Sequence, residues 1–218
     1  MLEKPKAILF DWDNTIVDTW PHIHNALNDT LAYMGFEPWS LEQTKLNVHL
    51  SMRDSFKQVF GDRASEAAKL YQSRYMAYKE QFSLPILPGA IELIEFLSSN
   101  PEIYIAVVSN KLGDTLRSEA VMLNLNNKFK KFVGSQDTIE DKPSPLPVKL
   151  ALEGSGIDLG KHVWFVGDTV ADMACAYNSG CSAIFYGDDD PTSERYVNYK
   201  PHKHFKTHPE FLSALKIL

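Results

Sequence analysis

Five short apolar runs that lack polar alternation narrow the possible folds of this chain more than any other feature. They are Lys6–Phe10, Ile103–Val108, Lys131–Val133, His162–Val166 and Ser182–Tyr186. A strand with one wet face alternates apolar and polar residues. A strand covered on both faces does not, so these runs predict parallel strands between layers of helix. Helical patterns fill the intervals. Pro88–Gly89 opens one that continues to Leu97, and others span Asp114–Leu125, Ser144–Glu153 and Val170–Tyr177, the last stopping at Asn178-Ser179-Gly180. Thr207 and Glu210 have capping-box spacing at the start of a final helix. Alternating strands and helices imply right-handed crossovers and a doubly wound α/β sheet of Rossmann-like form.

One interval breaks the rhythm. About ninety residues separate the first run from Ile103 and contain no strand pattern. Three helical patterns stand there instead. Ile23, Leu27, Leu31 and Met34 share a face that stops at Gly35, Ser40 and Gln43 have capping-box spacing, and Ala64–Phe82 is rich in Ala, Tyr and Lys. We therefore expect a core of residues 1–17 and 84–218 and an inserted all-helical lid of residues 18–83, with hinges at Asp18 and Leu84–Pro85. A length of 218 residues is one core domain plus such a surplus.

Composition excludes several classes. The chain is 44% hydrophobic and 23% charged, ordinary globular values, with a net charge of −6 that disfavours nucleic-acid or anionic-membrane partners. No apolar run approaches membrane-spanning length, and the segment from Met1 lacks the features of a secretory leader. Cys175 and Cys181 fit no disulfide framework. The expectation is a cytoplasmic protein with reduced thiols. No sequence feature specifies an oligomeric state.

In an open parallel sheet, ligands bind beyond the carboxyl ends of the strands. There the sequence places Asp11, Asp13 and Thr15 after the first run, Ser109 and Asn110 after the second, and Asp168 and Asp172 after the fourth. Lys142 precedes the helix leading to that fourth run. Four carboxylates, a hydroxyl and a lysine would converge on one crevice, and their mutual repulsion calls for a divalent cation. Hard oxygen donors favour Mg²⁺ over zinc, and Mg²⁺ beside Ser and Lys suits a phosphoryl group. Asp11 and Asp13, at i and i+2 of an extended segment, share a face and could act as nucleophile and general acid. Taken singly, each of these residues has an ordinary structural role, such as a solvated carboxylate, a helix cap or a surface lysine.

Together, Asp11-x-Asp13-x-Thr15, Ser109-Asn110, Lys142-Pro143 and Gly167-Asp168-x-x-x-Asp172 resemble the four motifs of the haloacid dehalogenase superfamily, in order and over most of the chain. Within it the chain is most similar to the phosphoglycolate phosphatase-like group, with Asn14 where many members carry Gly. The resemblance implies a Mg²⁺-dependent phosphatase of small phosphorylated metabolites. Asp11 would form an aspartyl-phosphate, and Asp13 would protonate the leaving group and then activate water. Asp11, the Asp13 backbone carbonyl and Asp168 would hold the ion, with Asp172 acting through water or by fixing Lys142. Thr15, Ser109, Asn110 and Lys142 would bind the phosphoryl group, with Thr15 also orienting the Asp13 segment. A phosphosugar mutase shares these motifs. A phospho-accepting signalling module fits less well, because its acceptor Asp follows a central strand and it carries no helical lid. Caps of this family place selecting residues over the site, which makes Arg53 a candidate for an anionic second group. His22 with His24, and His202 with His204, are expected at the surface, and Trp12 is expected to pack.

Overall fold

The computed structural model describes residues 2–48 and 51–217. Met1 and Leu218, at the ends of the expected core, and His49 and Leu50, within the expected lid, lie outside the described residues. The chain divides into two compact units, Met1–Ile16 with Ile86–Leu218, and Val17–Pro85.

The first unit is a parallel sheet. Its strands are β1 (Ala7–Phe10), β2 (Tyr104–Leu112), β3 (Phe132–Ser135), β4 (Val163–Gly167), β5 (Ser182–Tyr186) and β6 (Lys203–Phe205), ordered β3-β2-β1-β4-β5-β6. Every pairing is parallel. All residues of β1, β4 and β5 are buried, which explains why their sequences do not alternate. The chain first builds outward from β1 to β2 and β3, then returns to the other side of β1 with β4. That reversal opens a crevice at the carboxyl ends of β1 and β4, where Phe10 pairs with Val166.

The expected strands all form, Ser182–Tyr186 with the expected bounds and the other four with shifted ends. β2 continues past Val108 to Leu112, and its register with β3 shifts between those two residues. The polar Ser109-Asn110-Lys111 stretch ends the apolar pattern but not the strand. β6 was not expected: a three-residue edge strand of Lys-His-Phe carries no apolar run. Helices 5 to 9 of the chain, which flank the sheet, are Ala90–Ser98, Gly113–Met122 (α6), Leu146–Leu152, Val170–Asn178 (α8) and His208–Leu215. The Thr207–Glu210 box is only half made. Thr207 accepts from the Glu210 N–H at 3.3 Å, while the Glu210 carboxylate takes the Lys206 N–H at 2.8 Å. Trp12 is a core residue, as expected, and Cys175 and Cys181 are buried in the core as well.

The described residues of the second unit form four α-helices, α1 (Trp20–Tyr33), α2 (Leu41–Asn47), α3 (Met52–Phe60) and α4 (Ala64–Gln81), with a short 3-10 turn at Gly61–Arg63. Leu27, Leu31 and Met34 pack with Phe56, Phe60 and Ala67. Ser40 and Gln43 make the full reciprocal capping box. α3 adds a fourth helix to the three expected, because its buried face rests on Phe56 and Phe60 alone, too few repeats to declare a period. The two ends of the unit are joined by a hydrogen bond from Asp18 N–H to Pro85 O at 2.9 Å. No described helix is long and apolar enough to cross a membrane.

His22 corrects the expectation of a surface pair: it is buried in the helical unit with Nε2 3.5 Å from the Phe82 carbonyl. His208 is fully buried and stacks on Tyr186 at 4.3 Å, with no hydrogen-bond partner on either ring nitrogen. Burial pushes its imidazole down to about 4, against a smaller opposite pull from the Thr15 backbone. The folded value lies below the unfolded one, so the stabilisation is complete above about pH 6.5 and is lost as pH falls toward 4. Lowering the pH from 7.5 to 5 should cost the parent about 2 kcal/mol more than His208→Phe, which keeps the stack without the titration. Urea midpoints at the two pH values check this; identical pH responses would refute it.

Candidate active site

β1 delivers Asp11, whose N–H continues the ladder to Val166 O at 2.8 Å. The chain then turns. Asn14 takes a left-handed φ of 58°, a conformation Asn tolerates and Gly adopts freely, which accounts for the resemblance at this position despite the different residue. Thr15 donates its hydroxyl to Asp168 Oδ1 at 3.2 Å, tying the end of the β1 loop to the end of β4.

Lys142 is the centre of the site. Its side chain is only 2% exposed, and Nζ donates to Asp11 Oδ1 and Asp172 Oδ1, each at 2.7 Å. Its backbone is held as firmly: Lys142 N–H donates to Asn110 Oδ1 at 3.0 Å, and Asn110 Nδ2 donates to Lys142 O at 3.2 Å. The Asn110 side chain thus positions Lys142. Burial pulls the ammonium pKa down, but Asp11 and Asp172 outweigh it and raise the group above its ordinary value. Lys142 is a cation here throughout the physiological range.

Asp172 occupies the third position of α8 and is fully buried. While Oδ1 holds Lys142, Oδ2 accepts from Thr169 N–H at 2.9 Å and Thr169 Oγ1 at 2.6 Å, closing a capping box. Gly167 makes this possible, since a Cβ there would lie 2.3 Å from Asp172 Cγ. Ser109 is buried, with Oγ accepting from Lys111 N–H at 3.2 Å.

Oxygens of Asp11, Asp168 and Asp172 lie within 4.8 Å of one another, the group among the described residues that could hold a metal ion. Burial pushes the Asp11 carboxyl up to about 7; Lys142 opposes this, and Asp172 and Asp13 add to it. Asp168 is raised well above the usual carboxylate range by burial and then by Asp172 and Asp11. Negative charge is in excess, and a divalent cation on these oxygen donors would offset it. The residues present therefore fit such an ion. The His-x-His pairs instead bind neighbours: His24 meets Thr44 at 2.9 Å, His202 accepts from Ala183 N–H at 2.9 Å, and His204 meets Gly187 O at 2.7 Å.

Of the expected site residues, Asp11, Thr15, Asn110, Lys142, Asp168 and Asp172 form one connected set. Asp13 instead pairs with Lys111 at 2.7 Å. The contact is ionic rather than a hydrogen bond, because no donor is aligned on Asp13 Oδ1. Arg53 is exposed on α3 in the helical unit. Lys111 and Glu119 are the residues that sequence reasoning missed. A lysine after a motif reads as a solvated charge. The only signal for Glu119 was its place beside Leu116 and Ala120 on the buried face of α6.

A crossover crevice at the ends of β1, β2 and β4, with three carboxylates that could hold a metal ion, is the place where a Rossmann-like α/β enzyme carries its chemistry. Residues 8–186 match the haloacid dehalogenase-like hydrolase family, and the chain belongs to it. It is 31% identical to a phosphoglycolate phosphatase of Aquifex aeolicus, over 80% of this chain and 81% of that one. A solved haloacid dehalogenase-superfamily hydrolase from Ehrlichia chaffeensis is also 31% identical, covering 100% of this chain and 99% of its own, with a TM-score of 0.67. A haloacid dehalogenase-like hydrolase from Streptococcus pneumoniae superposes with a TM-score of 0.82 at 26% identity, over 96% and 98% of the two chains.

Proposed function

We propose that this protein is a cytoplasmic, Mg²⁺-dependent phosphatase of small phosphorylated metabolites that works through an aspartyl-phosphate. The observation that carries the reading is the convergence of Asp11, Asp168 and Asp172 on one point with Lys142 seated between two of them. Relatives named phosphoglycolate phosphatase support it. Asp11, Asp168 and the Asp13 backbone carbonyl would hold the ion, with Asp172 close by. When bound, the ion offsets charge on the phosphoryl oxygens and the Asp11 carboxylate.

Asp11 attacks phosphorus, and Asp13 gives its proton to the departing alcohol. Asp13, now a carboxylate, takes a proton from the water that releases phosphate. Lys142 and Ser109 bind the phosphoryl oxygens and oppose charge that grows in the transition state. Asp172 and Asn110 keep Lys142 in place, and Thr15 keeps Asp168 facing Asp11. The helical segment 18–83 acts as the cap, with Arg53 as a substrate-selecting residue.

The test is phosphate release from phosphoglycolate, sugar phosphates and nucleoside monophosphates after removal of metal with EDTA. Chelation is expected to lower activity at least about 10²-fold and Mg²⁺ to restore it. Undiminished activity in EDTA would overturn the metal dependence. Conversion of a sugar phosphate to its isomer without phosphate release would assign the mutase instead.

A further inference from the structure

Asp13 and its chain neighbour Trp12 are joined to the same buried carboxylate. Lys111 Nζ lies 2.7 Å from Asp13 Oδ1 and donates to both oxygens of Glu119, at 2.9 and 3.1 Å. Glu119 Oε2 also accepts from Trp12 Nε1 at 2.8 Å. The Glu119 side chain is 0% exposed, that of Lys111 7% and that of Asp13 19%. Trp12, Asp13, Lys111 and Glu119 thereby close a ring linking the β1 loop, the end of β2 and α6. The register shift between Val108 and Leu112 brackets Lys111 within β2, and irregularities of this kind are common beside functional sites.

The ring answers a physical problem. Asp13 adds to the negative potential on Asp11, so repulsion drives its carboxylate outward, where it is already partly solvated. Lys111 is the opposing pull, and Glu119 keeps that ammonium from following Asp13 into solvent.

We propose that Lys111, anchored by Glu119, is the positioning residue for proton transfer by Asp13; the inference rests on the phosphatase reading above. Oδ1 is committed to Lys111, and Oδ2 carries the transferred proton. As the Asp11 oxygen–phosphorus bond forms, the bond from phosphorus to the ester oxygen breaks. Its electron pair stays on that oxygen, which takes the Oδ2 proton. In the second half, water gives a proton to Oδ2 as its oxygen bonds to phosphorus, and the Asp11 oxygen–phosphorus bond breaks with its electron pair returning to the Asp11 carboxylate, which frees phosphate. Lys111 gives up no proton in this sequence and touches neither substrate nor reacting atoms.

A positioned acid matters for an alcohol that leaves poorly and little for one that leaves readily. The parameter kcat/KM counts only the steps through release of that alcohol, so comparing two esters isolates the effect. The experiment measures kcat/KM for an alkyl phosphate and for p-nitrophenyl phosphate. The proteins are the parent, Lys111→Met, Asp13→Asn, their combination, and Lys111→Met/Glu119→Met, which removes both buried charges together. Circular dichroism and melting curves establish folding.

Lys111→Met should lose about 10²-fold on the alkyl ester and under about 5-fold on the aryl ester, with no further loss when Asp13→Asn is added. The paired Lys111–Glu119 replacement should show the same split, which keeps the test decisive if the single variant does not fold. Equal losses on both esters, or losses that multiply with Asp13→Asn, would overturn the inference and leave Lys111 structural. A parent inactive on every ester, or Asp11→Asn as active as the parent, would overturn the phosphatase reading and this inference with it.

Discussion

Asp11→Asn should lower kcat for phosphate-ester hydrolysis by about 10⁴-fold or more, the scale of losing a nucleophile that acts within a concerted set. The amide has the shape of the carboxylate and retains an oxygen for the Lys142 ammonium, so the loss would be chemical. Stability should move the other way. In the metal-free protein the Asp11 carboxyl is pushed up to about 7 by burial and by Asp172 and Asp13, in spite of Lys142. A folded value above the unfolded one gives stabilisation that is complete below about pH 3.8 and is lost as pH rises through about 7. The variant escapes that loss, so its melting temperature in EDTA should gain on the parent between pH 5 and pH 8. Phosphate release and melting at both pH values measure the two effects. Activity equal to the parent would rule out Asp11 as nucleophile, and a gain independent of pH would rule out the charge argument.

Lys142→Met should be the most damaging single change to stability. The substitution keeps most of the volume but leaves Asp11 and Asp172 facing each other without the ammonium that contacts both at 2.7 Å. Breaking one side of a buried ion cluster costs about 3–5 kcal/mol. For a chain of this size that is a fall in melting temperature of roughly 10 °C. The fall should be smaller at pH 5 than at pH 8, because Asp11 can take a proton and relieve the repulsion. Activity should drop about 10²–10³-fold through lost stabilisation of the phosphoryl oxygens. A melting temperature within a degree or so of the parent at pH 8 would show that the cluster is compensated some other way.

These two residues also show what could be read from the chain alone. Asp11, Asp13 and Thr15 lie within five positions, and Asp168 and Asp172 within another five. A strand end or a helix first turn converts such spacings directly into geometry, so the constellation was legible before folding. The unbroken apolar runs were legible too, because burial on both faces leaves its mark on every residue of β1, β4 and β5.

Other features depend on what folding brings alongside. The short α3 and the edge strand β6 carry too little apolar pattern to register. His22 looks the same in sequence whether Phe82 covers it or water does. The role of Asn110 became clear only once its amide met the Lys142 backbone, 32 positions away. Trp12 and Glu119 stand 107 positions apart, and only the packing of α6 against the β1 loop joins them.

By itself, then, the sequence determined the α/β class, the helical insertion and the carboxylates that fit a cation, because strand burial and local spacing are written in consecutive residues. Tertiary structure alone decided which charges are buried and what each one holds: Lys142 between Asp11 and Asp172, and Lys111 between Asp13 and Glu119. The physical reason is that desolvation and ion pairing depend on neighbours distant in the chain, whose arrival no local pattern records.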